Sequence, residues 1–174
     1  NINAMAKGKS KGRNNSGGSG GAAQPIDFTG KETKEQLIQK LVDSGAYYDV
    51  SRPGTEKVAD RVHFIAKEKK PELQIMVKRV NVDLEHGGRG NSSQWYSTNY
   101  NKTRNKADAE IQNTPVFKRT TEKFKKERDG GGASARKVQN EINNLVDTKY
   151  YGAISKSERA SYKKDVLAIL AKYD

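Results

Sequence analysis

Residues 73–84, LQIMVKRVNVDL, carry the clearest strand pattern in the chain. Leu73, Ile75 and Val77 sit on odd positions, whereas Val80, Val82 and Leu84 sit on even ones, so the inward set changes phase near Lys78 and Arg79. Side chains alternate along a strand with a period of two, and a phase change therefore calls for a bulge or a sharp bend. A turn-rich stretch follows at 86–93, HGGRGNSS, and then residues 94–100, QWYSTNY, alternate Trp95, Ser97 and Asn99 against Tyr96, Thr98 and Tyr100. Two strands joined by a Gly-rich loop predict an antiparallel hairpin over 73–100.

Helices flank this hairpin in the reading. Thr33 with Gln36 three positions on has the capping-box pattern, Leu37, Ile38, Leu41 and Val42 follow at helical spacing, and Gly45 suits the C′ position. Residues 46–50, AYYDV, read as a short strand closed by the turn 51–54. Thr55 then opens a second helix over Val58, Val62 and Ile65, stopped at Pro71, with a strand at 61–66 as the alternative. After an Asn/Lys/Arg linker at 101–106, Thr114 and Pro115 start a helix running to Arg128. Ser134 caps the next, with Val138, Ile142, Leu145 and Val146 on one stripe, and Ser155 with Glu158 boxes a last helix whose inward side is Tyr162, Val166, Ile169, Leu170 and Tyr173. The expected fold class is α+β: a small antiparallel sheet packed by helices, a helical C-terminal half and a flexible basic N-terminal arm.

Residues 1–4 precede Met5 and read as a vector scar left by tag cleavage. Residues 5–24 are rich in Gly, Ser and Asn and have no apolar periodicity, so they read as a disordered basic arm. Residues 25–174 are expected to form a single nucleic-acid-binding domain. With 33% hydrophobic residues and a mean hydropathy of −0.97, the chain has material for a modest core and no apolar run near the ~20 residues that span a bilayer. The absence of cysteine removes disulfides, thiolate metal sites and thiol nucleophiles. The expected setting is cytoplasmic.

Thirty-three Lys and Arg against 21 Asp and Glu leave a net charge of +12, which points to polyanion partners and to nucleic acid first. Half of the excess lies in residues 87–136, with 11 basic and 5 acidic residues. Lys7, Lys9, Lys11 and Arg13 in the arm suit phosphate contacts that need no fixed structure, although such a tail also serves for solubility alone. Lys78, Arg79 and Arg89 lie along the hairpin, and Trp95, Tyr96 and Tyr100 offer rings beside the cations Lys102, Arg104 and Lys106. Stacked bases on rings and phosphates on cations are what single-stranded nucleic acid requires. Strand aromatics equally pack inward, and which face of 94–100 looks out is open. On the helix after Pro115, Lys118 and Lys125 form one row and Arg119, Lys123 and Lys126 another, opposite Val116, Phe117, Thr120 and Phe124. A charged helix face is also an ordinary solvated face.

Catalytic patterns are sparse. His63 and His86 lack zinc spacing, His86 with Arg89 or Lys102 is the one RNase-like arrangement, and the Gly-rich stretches lack the context of a nucleotide site. No cofactor, metal or catalytic residue is assigned. A small nuclease or toxin, and a protein-interaction module or inhibitor, stand as the other function classes.

The opening MAKGKSKGRNNSGG, the core around LQIMVKRVNVDLE and QWYSTNY, and the basic helices after it together resemble the small RNA-binding proteins that jumbo bacteriophages associate with their nucleus-like shell, the chimallin C-like proteins. The resemblance is one of arrangement and size, with no motif to carry over residue by residue. It implies binding of single-stranded RNA, namely phage mRNA, near a phage shell protein in the cytoplasm of an infected bacterium, with condensation through the arm. Separately from the resemblance, a homo-oligomer is among the expected partners.

Overall fold

The computed structural model describes residues 22–46, 65–92, 99–127 and 132–174. Among these residues there is no strand and no sheet, so the expected α+β fold and its hairpin are overturned in favour of a helical protein. Residues 73–84 lie inside a helix, α2, Lys70–Glu85. Leu73, Val77, Val80 and Leu84 recur at i, i+4, i+7 and i+11, the stripe that a 3.6-residue period lays along one side. A helical stripe changes parity as it advances, so the odd-to-even switch that calls for a bulge in a strand is continuous in a helix. Leu73, Val77 and Val80 are fully buried, whereas Ile75 is only half-buried. Pro71 stands in the first turn, where its missing N–H has no partner to lose, and therefore starts this helix rather than stopping the one before.

Six α-helices occur among the described residues, and the chain divides into two compact units, residues 1–100 and 101–174, where the sequence suggests one domain from 25 onward. In the first unit α1, Lys34–Ser44, packs on α2. The capping box forms as expected: the Gln36 N–H donates to Thr33 Oγ1 at 3.1 Å, and the Thr33 N–H donates to Gln36 Oε1 at 2.9 Å. Gly45 ends α1 at φ 77°, a left-handed position that an L side chain resists. Leu37, Leu41, Ala46 and Ile65 join Leu73, Val77 and Val80 in the core.

An extended segment at 22–32 is fastened to this helix pair. Ala23 and Ile26 are buried in the same core, and the Asn81 side chain accepts from the Ile26 N–H and donates to the Ile26 carbonyl, both at 2.8 Å. The Ala23 N–H also donates to the Arg89 carbonyl at 2.8 Å, so ordered packing begins within the stretch assigned to the arm. After α2, the buried Asp83 carboxylate accepts from the Gly90 and Asn91 N–H groups at 2.8 Å each and fixes the loop. A Cβ at Gly88 would sit 2.3 Å from that carboxylate, which is why this turn carries glycine.

The second unit is a four-helix assembly of α3, Lys102–Gln112, α4, Pro115–Glu127, α5, Ala133–Lys149, and α6, Arg159–Ala171. Helix α6 contacts the other three. Residues 101–106 are the start of α3 rather than a linker; its buried stripe is Thr103, Ala107 and Ile111. Pro115 begins α4 as its position predicts, and Val116, Phe117 and Phe124 pack on the core around a buried Thr120 whose hydroxyl donates to the Val116 and Phe117 carbonyls. Ser134 lies within α5, and Gly132 at φ 66° stands at the cap instead. The Ser155 and Glu158 box is present, with a short 3-10 turn at Lys156–Glu158 leading into α6. The expected strand at 46–50 beyond Ala46, and the expected helix from Thr55 short of Ile65, lie outside the described residues.

Two predictions follow from the first unit. If the buried stripe of α2 is the helical one, Val77→Ala and Val80→Ala each cost about 2 kcal/mol and Ile75→Ala clearly less, read from urea unfolding. Glu32 supplies the second. Its burial alone would raise the carboxyl pKa, but donation from the Thr29 N–H at 2.8 Å, the Gly30 N–H at 3.0 Å and the Lys40 ammonium at 3.2 Å outweighs burial and holds it at about 2 against the usual 4.5. A depressed carboxyl stabilises fully above its unfolded value and loses that contribution as pH falls from about 4.5 towards 2. Glu32→Gln should flatten this part of the acid-unfolding profile followed by circular dichroism.

Candidate nucleic-acid interface

The cations of the second unit outnumber its acids, 17 to 10, and the pairing of those acids decides which cations face solvent uncompensated. Arg104 on α3 is half-buried; its Nε donates to the Tyr162 hydroxyl at 3.3 Å and lies 3.7 Å from Asp108. It braces the core. Lys102 and Lys106, one turn apart on the same helix, are exposed and hold no ion pair among the described residues.

Helix α4 presents Lys118, Arg119, Lys123, Lys125 and Lys126 to solvent, opposite the side that packs inward. The two rows expected from the sequence differ in their engagement. Arg119 grips Asp174 with both prongs of its guanidinium, at 2.8 and 2.5 Å, and Lys123 donates to the Tyr173 carbonyl at 2.9 Å. Glu141 takes Lys172 and the Tyr173 hydroxyl, completing a clasp of the chain's last residues against α4 and α5. The Asp174 carboxyl is accordingly held below its usual pKa by Arg119. Lys118, Lys125 and Lys126 hold no ion pair among the described residues, and Lys118 and Lys125 are separated by about 10.5 Å along the axis.

In the first unit the expected hairpin cations and rings are rearranged. Lys78 is buried within α2, and Arg79 lies over the Tyr100 ring at 4.6 Å from its centroid. Tyr100 is 2% exposed, and burial raises its phenol pKa against the effect of Arg79. Its ring is in the interior and has no face to offer a base, which corrects its place among the stacking residues. Arg89 is exposed on the loop after α2. Lys7, Lys9, Lys11, Arg13, Trp95 and Tyr96 lie outside the described residues, as does His63; His86 forms the C-cap of α2. No group of three or more His, Asp or Glu side chains suited to a metal ion occurs among the described residues.

One cluster escaped the sequence reading. Lys156, Arg159, Lys163 and Lys164 gather around a cleft at the start of α6. Their spacing of i, i+3, i+7 and i+8 was the signal, overshadowed by the adjacent capping box. No family model, curated protein or solved structure matches the chain.

The brace around Arg104 is testable by pH. Burial first, and then donation of its hydroxyl to Asp108 Oδ1 at 2.8 Å, push the Tyr162 phenol up to about 12 from the usual 10. A group raised in the folded state stabilises fully below its unfolded pKa and loses this as pH rises from about 10 through about 12. Spectrophotometric titration should show a phenol titrating at about 12 that Tyr162→Phe removes, along with the matching part of the alkaline loss of stability.

Proposed function

We propose that this protein is a non-enzymatic nucleic-acid-binding protein that takes single-stranded RNA through lysine contacts to phosphate. The observation that carries the reading is the exposed set Lys118, Lys125 and Lys126 on α4, none of which forms an ion pair with a carboxylate among the described residues. Rows of this kind release condensed counterions when they meet a phosphate backbone, and the gain needs no base-specific geometry. Lys102 and Lys106 on α3, Arg89 in the first unit and the basic run at 7–13 add cations of the same kind. Preference for single strands rests on Trp95 and Tyr96, whose rings would stack on unpaired bases; Tyr100 has no part in it.

The likeness to phage shell-associated RNA-binding proteins supports the choice of RNA through the composition of the N-terminal sequence and the basic helices. Its third support, a strand-containing core, is gone, because residues 73–84 are helical. Association with a phage shell protein, condensation with RNA and a cytoplasmic setting belong to the same proposal. No helix among the described residues is long and apolar enough to cross a membrane.

Filter binding of single- and double-stranded RNA and DNA at a series of salt concentrations tests this. The logarithm of affinity for single strands should fall with the logarithm of salt at a slope of about 0.7 per phosphate neutralised. Lys118→Ala/Lys125→Ala/Lys126→Ala should weaken single strands and duplex together and flatten that slope. Trp95→Ala/Tyr96→Ala should weaken single strands selectively. A salt-independent affinity would remove the phosphate reading, and equal losses for both substrates in a folded aromatic variant would remove stacking.

A further inference from the structure

The cleft at the start of α6 has a volume of about 470 Å³, and its lining includes Lys156, Arg159, Lys163 and Lys164 together with a single carboxylate, Glu110, and the aliphatic Leu167. Pockets of roughly 300–1,000 Å³ accept small organic ligands, so a nucleotide-sized group fits the space. Glu110 is the one carboxylate in that lining, beside four cations. Arg159 forks onto Glu110 at 3.1 and 2.7 Å, and Lys163 lies 3.6 Å from the same group. Lys164 holds no ion pair among the described residues.

The position of these cations is electrostatically unfavourable for the helix itself. Amides at a helix N-terminus carry partial positive charge, and cations in the first turns oppose it. No acidic residue lies in the first turn of α6, and the Glu158 carboxylate at its N-cap, which accepts from the Ser155 N–H and hydroxyl at 2.9 Å each, offsets only part of this charge. An anion in the cleft would relieve both the dipole and the crowding of like charges. Donation from Arg159 holds the Glu110 carboxyl below its usual pKa, so it stays charged at neutral pH and is the one negative group an incoming anion must displace or share with.

The geometry points to this cleft as a seat for a backbone phosphate of the bound strand and its attached sugar, with Glu110 as the internal competitor that sets how tightly the phosphate is held. The assignment rests on the nucleic-acid reading above and adds to it a concave contact, separate from the open rows of α3 and α4. Two variants move in opposite directions: Lys163→Ala/Lys164→Ala removes attraction, and Glu110→Gln removes repulsion.

Fluorescence anisotropy of a labelled uridine homopolymer on the full chain, across a salt series, reads both. Lys163→Ala/Lys164→Ala should weaken binding severalfold and reduce the salt slope by roughly 0.7 for each phosphate that is no longer neutralised. Glu110→Gln should tighten binding. Should Glu110→Gln fail to fold once Arg159 is without its partner, the exposed single charge reversal Lys164→Glu takes its place, with severalfold weakening expected. If the parent protein binds no strand at any salt, the nucleic-acid reading and the cleft fall together. If the parent binds with a steep slope while Lys163→Ala/Lys164→Ala leaves affinity and slope unchanged, the cleft assignment alone is overturned, as it is if a folded Glu110→Gln binds no tighter. Uridine 5′-monophosphate and inorganic phosphate distinguish the source: efficient displacement of the strand by either would make the cleft a small-phosphate site and overturn the strand assignment.

Discussion

Helix α6 touches three others in the second unit, and that packing closes only because two tyrosines can be buried with their hydroxyls satisfied. Tyr162 and Tyr150 meet edge to face, with ring centroids 5.9 Å apart. Tyr162 hands its hydroxyl to Asp108, and Tyr150 hands its own to Asp165 at 2.6 Å. A buried phenol without a partner forfeits the hydrogen bonds it made to water, so each ring brings a carboxylate to the edge of the core. Those carboxylates draw cations in turn: Lys149 to Asp165 at 2.7 Å, and Arg104 towards Asp108. Glu110, Glu141 and Asp174 are spent on similar links between elements. Acids are the minority in this unit, and interior bracing and end-clasping use up half of them. On the outside of α3 and α4, lysines without an ion pair among the described residues outnumber the acids left beside them, Glu122 and Glu127.

Local signals with their own stereochemistry were legible before the fold was known. The Thr33 and Gln36 box, Gly45 after α1, Pro115 at the start of α4 and the Ser155 and Glu158 box all stand where the residues imply, because each involves neighbours within a turn or two of chain. Residues 73–84 misled through their side chains. Ile75, Val77, Val80 and Val82 are β-branched, and their local preference favours a strand, but burial of Leu73, Val77 and Val80 against α1 outweighs a propensity worth tenths of a kcal/mol per residue. Helix α3 was hidden for the opposite reason. Its inward stripe is Thr103, Ala107 and Ile111, of which only Ile111 is large and apolar, so it leaves little hydrophobic signal.

The candidate site was legible to the extent that it is local. The cations of α4 share their exposed side because helical spacing puts them there, whatever else the chain does. Arg79 and Tyr100 could not be read the same way, since a guanidinium over a ring is a contact between residues on separate elements. The same holds for Arg119 and Asp174, which are 55 positions apart. Sequence shows charge; only the folded chain shows which charges are already answered. At the α6 cleft a capping box and a cationic stripe share residues 155–164, so one stretch of sequence carries two signals and the stripe is read as the solvated face of a capped helix.

The division of labour between arginine and lysine bears on the kind of recognition this surface supports. Arg104, Arg119 and Arg159 all have their guanidinium groups engaged by protein oxygen atoms, two of them by both prongs. Eight described lysines of the second unit, Lys102, Lys106, Lys118, Lys123, Lys125, Lys126, Lys137 and Lys164, hold no ion pair among the described residues. A guanidinium fork reads base edges by paired hydrogen bonds, whereas an ammonium is a mobile point charge suited to phosphate. With those three forks committed to protein oxygen atoms, most of the charge left for a strand is ammonium, which has no rigid geometry with which to prefer one base over another. On the reading proposed here, the described part of the second unit therefore supplies affinity and salt dependence. On the same reading, discrimination among nucleic acids would fall to Trp95, Tyr96 and the path of a strand between the α4 rows and the α6 cleft.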